Sequence, residues 1–190
     1  TSTVRPHPVR LIPRPRPVVR CTGPGAEHIA EIAGGVPDPE LPMISLANLG
    51  VLRAVDVDET TGAVTVTLTP TYSGCPALQT MAADVSTRLS EAGYGDAQVR
   101  ISLTDIWSSD DVTATGQEAL RKNGIAPPPV LGSEPAGSVI PDHGADAPAV
   151  ACPHCGAETT EQLSRFGATS CKALYRCLAC REPFEHFKAH

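Results

Sequence analysis

Apolar and polar side chains alternate most cleanly over residues 64–69, where Val64, Val66 and Leu68 interleave with Thr65, Thr67 and Thr69. A period of two predicts a strand with one buried face. Residues 51–57 predict a second strand, joined to the first through a hairpin connection at Asp58-Glu59-Thr60-Thr61-Gly62. Upstream, Ile29, Ile32 and Ala33 share one face of a short helix expected over residues 26–34, with Gly34-Gly35 as its stop. Downstream, Leu78, Met81, Ala82, Val85 and Leu89 recur at three- and four-residue steps. They predict an amphipathic helix that opens at Pro76 and ends near Gly93. Residues 97–103 predict a third strand, and residues 117–122 a last helix closed by Gly124. Helices and strands intermixed around a small sheet predict an α+β class: a two-layer helix/sheet domain over residues 26–125.

The pattern breaks in three places. Residues 36–42 hold Pro37, Pro39 and Pro42 and cannot be regular structure. Residues 126–150 carry six prolines and three glycines without periodicity, and read as a linker. Residues 1–25 interleave Arg and Pro and read as a disordered arm, extended rather than helical, in which Cys21 looks incidental. Beyond the linker, short β-like runs at 159–164, 170–175 and 184–187 surround two cysteine pairs, and all three phenylalanines fall in this stretch. A module of about forty residues cannot bury enough surface to fold on aliphatic side chains alone, so aromatics plus a metal are expected to stabilise residues 151–190.

The pairs are Cys152-Pro-His-Cys155 and Cys177-Leu-Ala-Cys180. Two tight turns that each present two thiolates suit a tetrahedral ion with sulfur bonds of roughly 2.3 Å, so the module reads as a four-cysteine zinc ribbon. Rubredoxin-like iron fits the same spacing, and a disulfide pair or idle thiols are the bland alternative. Cys171 is the odd thiol of the module. On a continuous strand it would lie about 20 Å from Cys177, too far for shared ligation, which leaves it as an accessory thiol: an exchangeable ligand if the strand bends, or an exposed redox group. Cys75 precedes the amphipathic helix in Thr69-Pro-Thr-Tyr-Ser-Gly-Cys75-Pro76, where free amide donors and the positive dipole end favour a thiolate. The bland reading is a half-buried capping thiol. Asp38 and Glu40 share one constrained loop, as solvated turn residues or as acids flanking Cys75. His28 and the single Trp107 read as surface and packing residues.

Charge narrows the function classes. The net charge is −6, but five arginines and no acid lie in the first twenty residues, leaving ten basic and twenty-one acidic side chains, or −11, in the rest. An acidic body is a poor phosphate-backbone binder, so nucleic acid is not the expected partner. No apolar run is long enough to span a membrane. Seven cysteines without a secretory signal point to the reducing cytoplasm, although a chain that starts at Thr1 leaves a removed targeting segment open. Neither a flavin or nicotinamide fingerprint nor a Cys/His catalytic set is present, so the chain is not expected to be catalytic alone.

The Asp38-Pro39-Glu40 loop, the Asn48-Leu49-Gly50 turn and the Thr69 to Pro76 motif together resemble the SufT-like metal-sulfur cluster assembly family over about residues 26–125. With the ribbon and its Phe166 to Cys177 segment, the chain resembles a family of accessory proteins of the phenylacetyl-CoA epoxidase system in aerobic phenylacetate catabolism. That resemblance implies partners, the di-iron oxygenase and iron-sulfur flavin reductase subunits, and a role in maturing their metal centres. The alternative is a stoichiometric structural subunit without metal-transfer activity, and a homodimer is left open. It also implies that Cys75, Asp38 and Glu40 handle iron or a transient iron-sulfur cluster, and that Cys152, Cys155, Cys177 and Cys180 hold a structural metal. Asn48 stands where many members have Asp, and the Arg/Pro arm has no counterpart.

Overall fold

In the computed structural model, residues 19–72, 74–129 and 150–189 are described. Helices, strands and loops mix in an α+β arrangement built on two four-stranded sheets. The first sheet has the order β1 (Arg20–Thr22), β2 (Leu52–Val57), β3 (Val64–Leu68), β4 (Gln98–Ile101). β2 and β3 form the expected antiparallel hairpin, and the parallel strands β1 and β4 flank it. Val64, Val66 and Leu68 are buried and the intervening threonines less so, as the alternation requires.

Helices α1 (Ala26–Gly34) and α3 (Leu78–Glu91) pack against this sheet and each other. α1 buries Ala26, Ile29 and Ala33, and α3 buries Met81, Val85 and Leu89, the stripes their spacing foretells. Two elements differ from the sequence reading. α3 starts at Leu78 rather than Pro76; just ahead of it the Cys75 amide donates to the Tyr72 carbonyl at 3.2 Å. α4 (Ala114–Lys122) starts three residues early, because Thr113 caps it by accepting from the Gly116 amide at 3.1 Å.

Two further elements have no counterpart in that reading. Of the arm expected over residues 1–25, residues 1–18 lie outside the described residues, but Arg20–Thr22 form strand β1 and half-bury Cys21 against the core. The one-turn helix α2 (Leu46–Leu49) runs from the Ser45 cap to Gly50, whose φ of 77° lies in the left-handed region. Gly50 is also required by space: a Cβ there would stand 2.6 Å from the Asp111 backbone carbonyl oxygen. Asn48 ties α2 to α4, its carbonyl accepting from the Thr113 amide and its Oδ1 from the Thr113 hydroxyl at 2.8 Å.

A β-bulge in β2 falls at Arg53, between the Leu52 and Ala54 pairings, and the arginine meets Asp111 in a short, nearly buried ion pair.

The second sheet has the order β5 (Ile125–Ala126), β8 (Pro183–Phe187), β7 (Lys172–Cys177), β6 (Thr160–Ser164). The last three are the antiparallel strands expected of the ribbon. β5 lies upstream of the expected linker, takes in its first residue, and pairs in parallel with β8. Residues 130–149 of that linker lie outside the described residues. Phe187 joins the core of the first domain and meets Trp107 edge-on at 6.0 Å between ring centroids. Trp107 itself is buried and donates its indole N–H to the Leu49 carbonyl at 2.9 Å, a packing role as expected.

Candidate functional site

Two clusters of chemistry-bearing side chains stand at opposite ends of β7. The first is built from two equivalent turns. The Gly156 amide donates to the Cys152 carbonyl at 2.9 Å, and the Arg181 amide to the Cys177 carbonyl at 3.0 Å. Each turn ends on a left-handed residue, Gly156 at φ 77° and Arg181 at φ 71°. The turns bring the sulfurs of Cys152, Cys155, Cys177 and Cys180 within 4.8 Å of one another, with Cys152 3.8 Å from Cys180 and Cys155 3.6 Å from Cys177.

A tetrahedral ion with 2.3 Å sulfur bonds would hold its ligands about 3.8 Å apart, so the donor set fits a metal. The protonation chemistry agrees. The Cys180 amide, then the Ala179 amide, pull the Cys177 thiol down to about 6. Cys180, although the Glu182 amide favours its thiolate, is pushed up to about 12 by desolvation and the facing sulfurs. Four thiols this close cannot all ionise without a cation among them.

Behind the cluster, His186 is buried, edge-on to Tyr175, with Nδ1 3.2 Å from the Ala126 carbonyl. Burial lowers its pKa to about 4 against the opposing pull of that carbonyl. A depressed folded value means that the neutral ring supports the fold above the unfolded pKa of 6.5, and that this support is lost as pH falls from there toward 4. The contribution should be reduced by about 2 kcal/mol at pH 5. An NMR titration should find the His186 ring neutral between roughly pH 8 and 5.5; a midpoint near the ordinary histidine value would contradict this.

The second cluster gathers around Cys75. The loop before α2 is closed by a bridge between Pro37 and Ser45. It buries Asp38, whose Oδ1 accepts from the Glu40 and Leu41 amides, both at 2.8 Å. Burial raises the Asp38 carboxyl, opposed by those amides and by Lys172. Burial and the Asp38 charge also raise Glu40. Cys75 is half-buried, and burial pushes its thiol up despite the Ala77 amide, with Glu40, Asp38 and Cys171 adding to the rise. The thiolate expected at a helix mouth is therefore disfavoured, first by burial and then by the neighbouring acids.

Cys171 lies at this end of β7, outside the four-sulfur cluster, as the distance argument required. It is buried rather than exposed, because the hairpin before β7 folds onto the first domain. The Tyr72 hydroxyl hydrogen-bonds Ser170 across this contact. Lys172 is buried beside it and paired with Glu185 at 2.6 Å. Sequence spacing gave no signal for Tyr72, Ser170 or Lys172, which belong to the site only through the packing of two modules. His28 stays on the surface, 3.8 Å from Glu31. Among the described residues no helix is long and apolar enough to cross a membrane.

Residues 27–103 match the family described as iron-sulfur cluster assembly protein, and residues 137–188 the PaaD zinc beta ribbon domain. A crystal structure of a domain of unknown function, DUF59, from Bacillus anthracis is 27% identical, with a TM-score of 0.45, over 50% of this chain and 89% of that one. A solution structure from Mycobacterium tuberculosis, of a protein described as associated with [Fe-S] complex assembly and repair, is 24% identical, with a TM-score of 0.31, over 62% and 96%. A protein of Escherichia coli (strain K12) named as a putative subunit of 1,2-phenylacetyl-CoA epoxidase is 37% identical over 165 residues, 87% of this chain and 93% of its own length. With that identity and coverage, and with its characteristic ribbon following an iron-sulfur assembly domain, the chain belongs to the PaaD family.

Proposed function

We propose that this protein is an accessory component of the phenylacetyl-CoA epoxidase system, and that it assists maturation of the iron-sulfur or other metal centres of the oxygenase and reductase subunits. The epoxidase link is taken from the name of the Escherichia coli relative. The observation that carries the maturation reading is that the half-buried Cys75 lies near enough to Glu40 and Asp38 for their charges to act on its thiol, in a domain that matches the iron-sulfur assembly family. Burial raises the Asp38 and Glu40 carboxyls and the Cys75 thiol, and a cation arriving beside them would favour their charged forms, so the three offer one sulfur and two carboxylate donors to incoming iron. Iron, or a cluster, is cargo in this reading.

The ribbon cysteines Cys152, Cys155, Cys177 and Cys180 would hold zinc as a structural ion, and the module would serve as a docking surface. Zinc supplies no redox chemistry there; it fixes the two turns that carry the sheet.

The test is the epoxidase system produced with Cys75→Ser under limiting iron, with the cluster content of the reductase as readout. A clear loss is expected, and normal occupancy would remove the maturation role. The word "subunit" in the relative's name favours a second reading, a stoichiometric structural component. Co-purification at a fixed ratio, together with normal cluster content in the Cys75→Ser system, would favour it.

A further inference from the structure

The ribbon meets the end of α4 around a cavity of about 460 Å³, within the range of roughly 300–1,000 Å³ typical of small-molecule sites. Its walls are mostly apolar: Pro127 and Pro129 just after β5, Val150 and Pro153 where the chain enters the ribbon, and the Tyr175 ring on β7. Neither Cys75 nor Asp38 nor Glu40 lines it, so it stands apart from the residues on which the maturation reading rests. The aromatic wall is built in advance. Tyr175 stacks on Phe184 at 5.8 Å between ring centroids and meets His186 edge-on at 5.4 Å, so these rings have little freedom left to lose when a guest arrives.

His186 supplies a polar anchor. It is only 7% exposed, and its Nδ1 lies 3.2 Å from the Ala126 carbonyl. A carbonyl oxygen can only accept, so Nδ1 carries the ring proton and Nε2 of the neutral ring holds a lone pair. The ring has no other hydrogen-bond partner among the described residues. Nor is Nε2 sealed in the core, since Arg53 Nε is the one fully buried side-chain polar atom left without a partner among those residues. Because the ring lines the cavity, its free acceptor opens there. A lone acceptor set in apolar walls selects a guest that brings a hydrogen-bond donor. The one charged side chain in the lining, Arg121, is paired with Glu118 on its own helix, so its charge is already met and the cavity favours a neutral guest.

We propose that this cavity binds a small uncharged molecule with a flat apolar body and one hydrogen-bond donor, of the phenol or aromatic alcohol class, whose O–H donates to His186 Nε2. The site is independent of the maturation role. A molecule held there touches both α4 and the ribbon, so its binding stabilises the contact between the two modules.

The experiment is a titration of the full, zinc-loaded chain at neutral pH with para-fluorophenol, followed by fluorine NMR of the probe and by the nitrogen shift of His186 Nε2, assigned through the contact of that ring with Tyr175. Saturation is expected at about 1 mM or below, the range open to a ligand of so few atoms, together with a move of the Nε2 signal. para-Fluoroanisole, the same ring with its donor capped by a methyl group, should bind at least about tenfold more weakly, because the acceptor is then left unpaired.

His186→Phe keeps the ring and removes the acceptor, so the preference for the phenol over the anisole should disappear, with zinc content and Trp107 emission unchanged. If that variant does not fold, the two probes read against the His186 signal of the unaltered protein decide the matter alone. Equal affinity for the two probes, binding that leaves the His186 signal in place, or no binding by about 10 mM would each overturn the proposal.

Discussion

Replacing Cys177 by Ser is expected to shift the emission of Trp107 to the red, although the tryptophan belongs to the other module. Cys177 is one of the four clustered sulfurs, and without it a ribbon of about forty residues loses the ion on which its fold depends. Structural zinc in zinc-finger peptides is worth roughly 10–16 kcal/mol, far more than a small apolar core of this kind can supply. Once β7 and β8 unravel, Phe187 leaves the Trp107 ring and water reaches the indole. Trp107 is the only tryptophan, so steady-state fluorescence reports the change without interference. Metal removal by a chelator should give the same shift, reversed on adding a thiolate-binding metal such as zinc. Emission unchanged in both experiments would mean that the ribbon keeps its fold without metal.

Asp111→Ala should cost about 3 kcal/mol or more in urea unfolding. The Arg53 and Asp111 side chains are 10% and 9% exposed, and the bulge in β2 directs the arginine at that carboxylate. Its remaining described hydrogen bond is to the Ile106 carbonyl at 3.3 Å, and Arg53 Nε already has no partner among the described residues. Removal of one member of a buried pair leaves an uncompensated charge, which typically costs about 3–5 kcal/mol. Asp111 also accepts from the Ser108 amide at 3.0 Å, so the same change removes a cap. A double variant, Arg53→Leu with Asp111→Ala, should recover part of the loss, because neither charge is then stranded. A single-variant cost below about 1 kcal/mol would show that solvent reaches the arginine.

What could be read in the sequence was local or metric. The β2–β3 hairpin follows from a period of two, the apolar faces of α1 and α3 from three- and four-residue steps, and the four-sulfur cluster from two-residue spacers. What was missed has no such signal. Strand β1 is three residues of mostly exposed backbone pairing inside an Arg/Pro-rich run, so no apolar period marks it. Helix α2 is a single turn, and its Ser45 cap and Gly50 stop look like loop residues until the fold places them. Between the two readings of Cys75, an activated thiolate and a half-buried thiol, the sequence could not choose, because burial and the neighbouring acids come from the fold. Distance along the strand separates Cys171 from Cys177, and the same distance carries it to the far end of β7, where only tertiary packing could reveal Cys75.

The pairing of β5 with β8 sets an order on biosynthesis. β5 is made early, yet the strand it needs is residues 183–187, the last element of the chain. While the chain emerges from the ribosome, residues 125–126 have no sheet to join, Trp107 lacks Phe187 against its ring, and Cys75 lacks the hairpin that covers it. The surroundings of Cys75 are therefore complete only once residues 171–187 have been made, so a chain cut short before them presents Cys75 without the ribbon beside it.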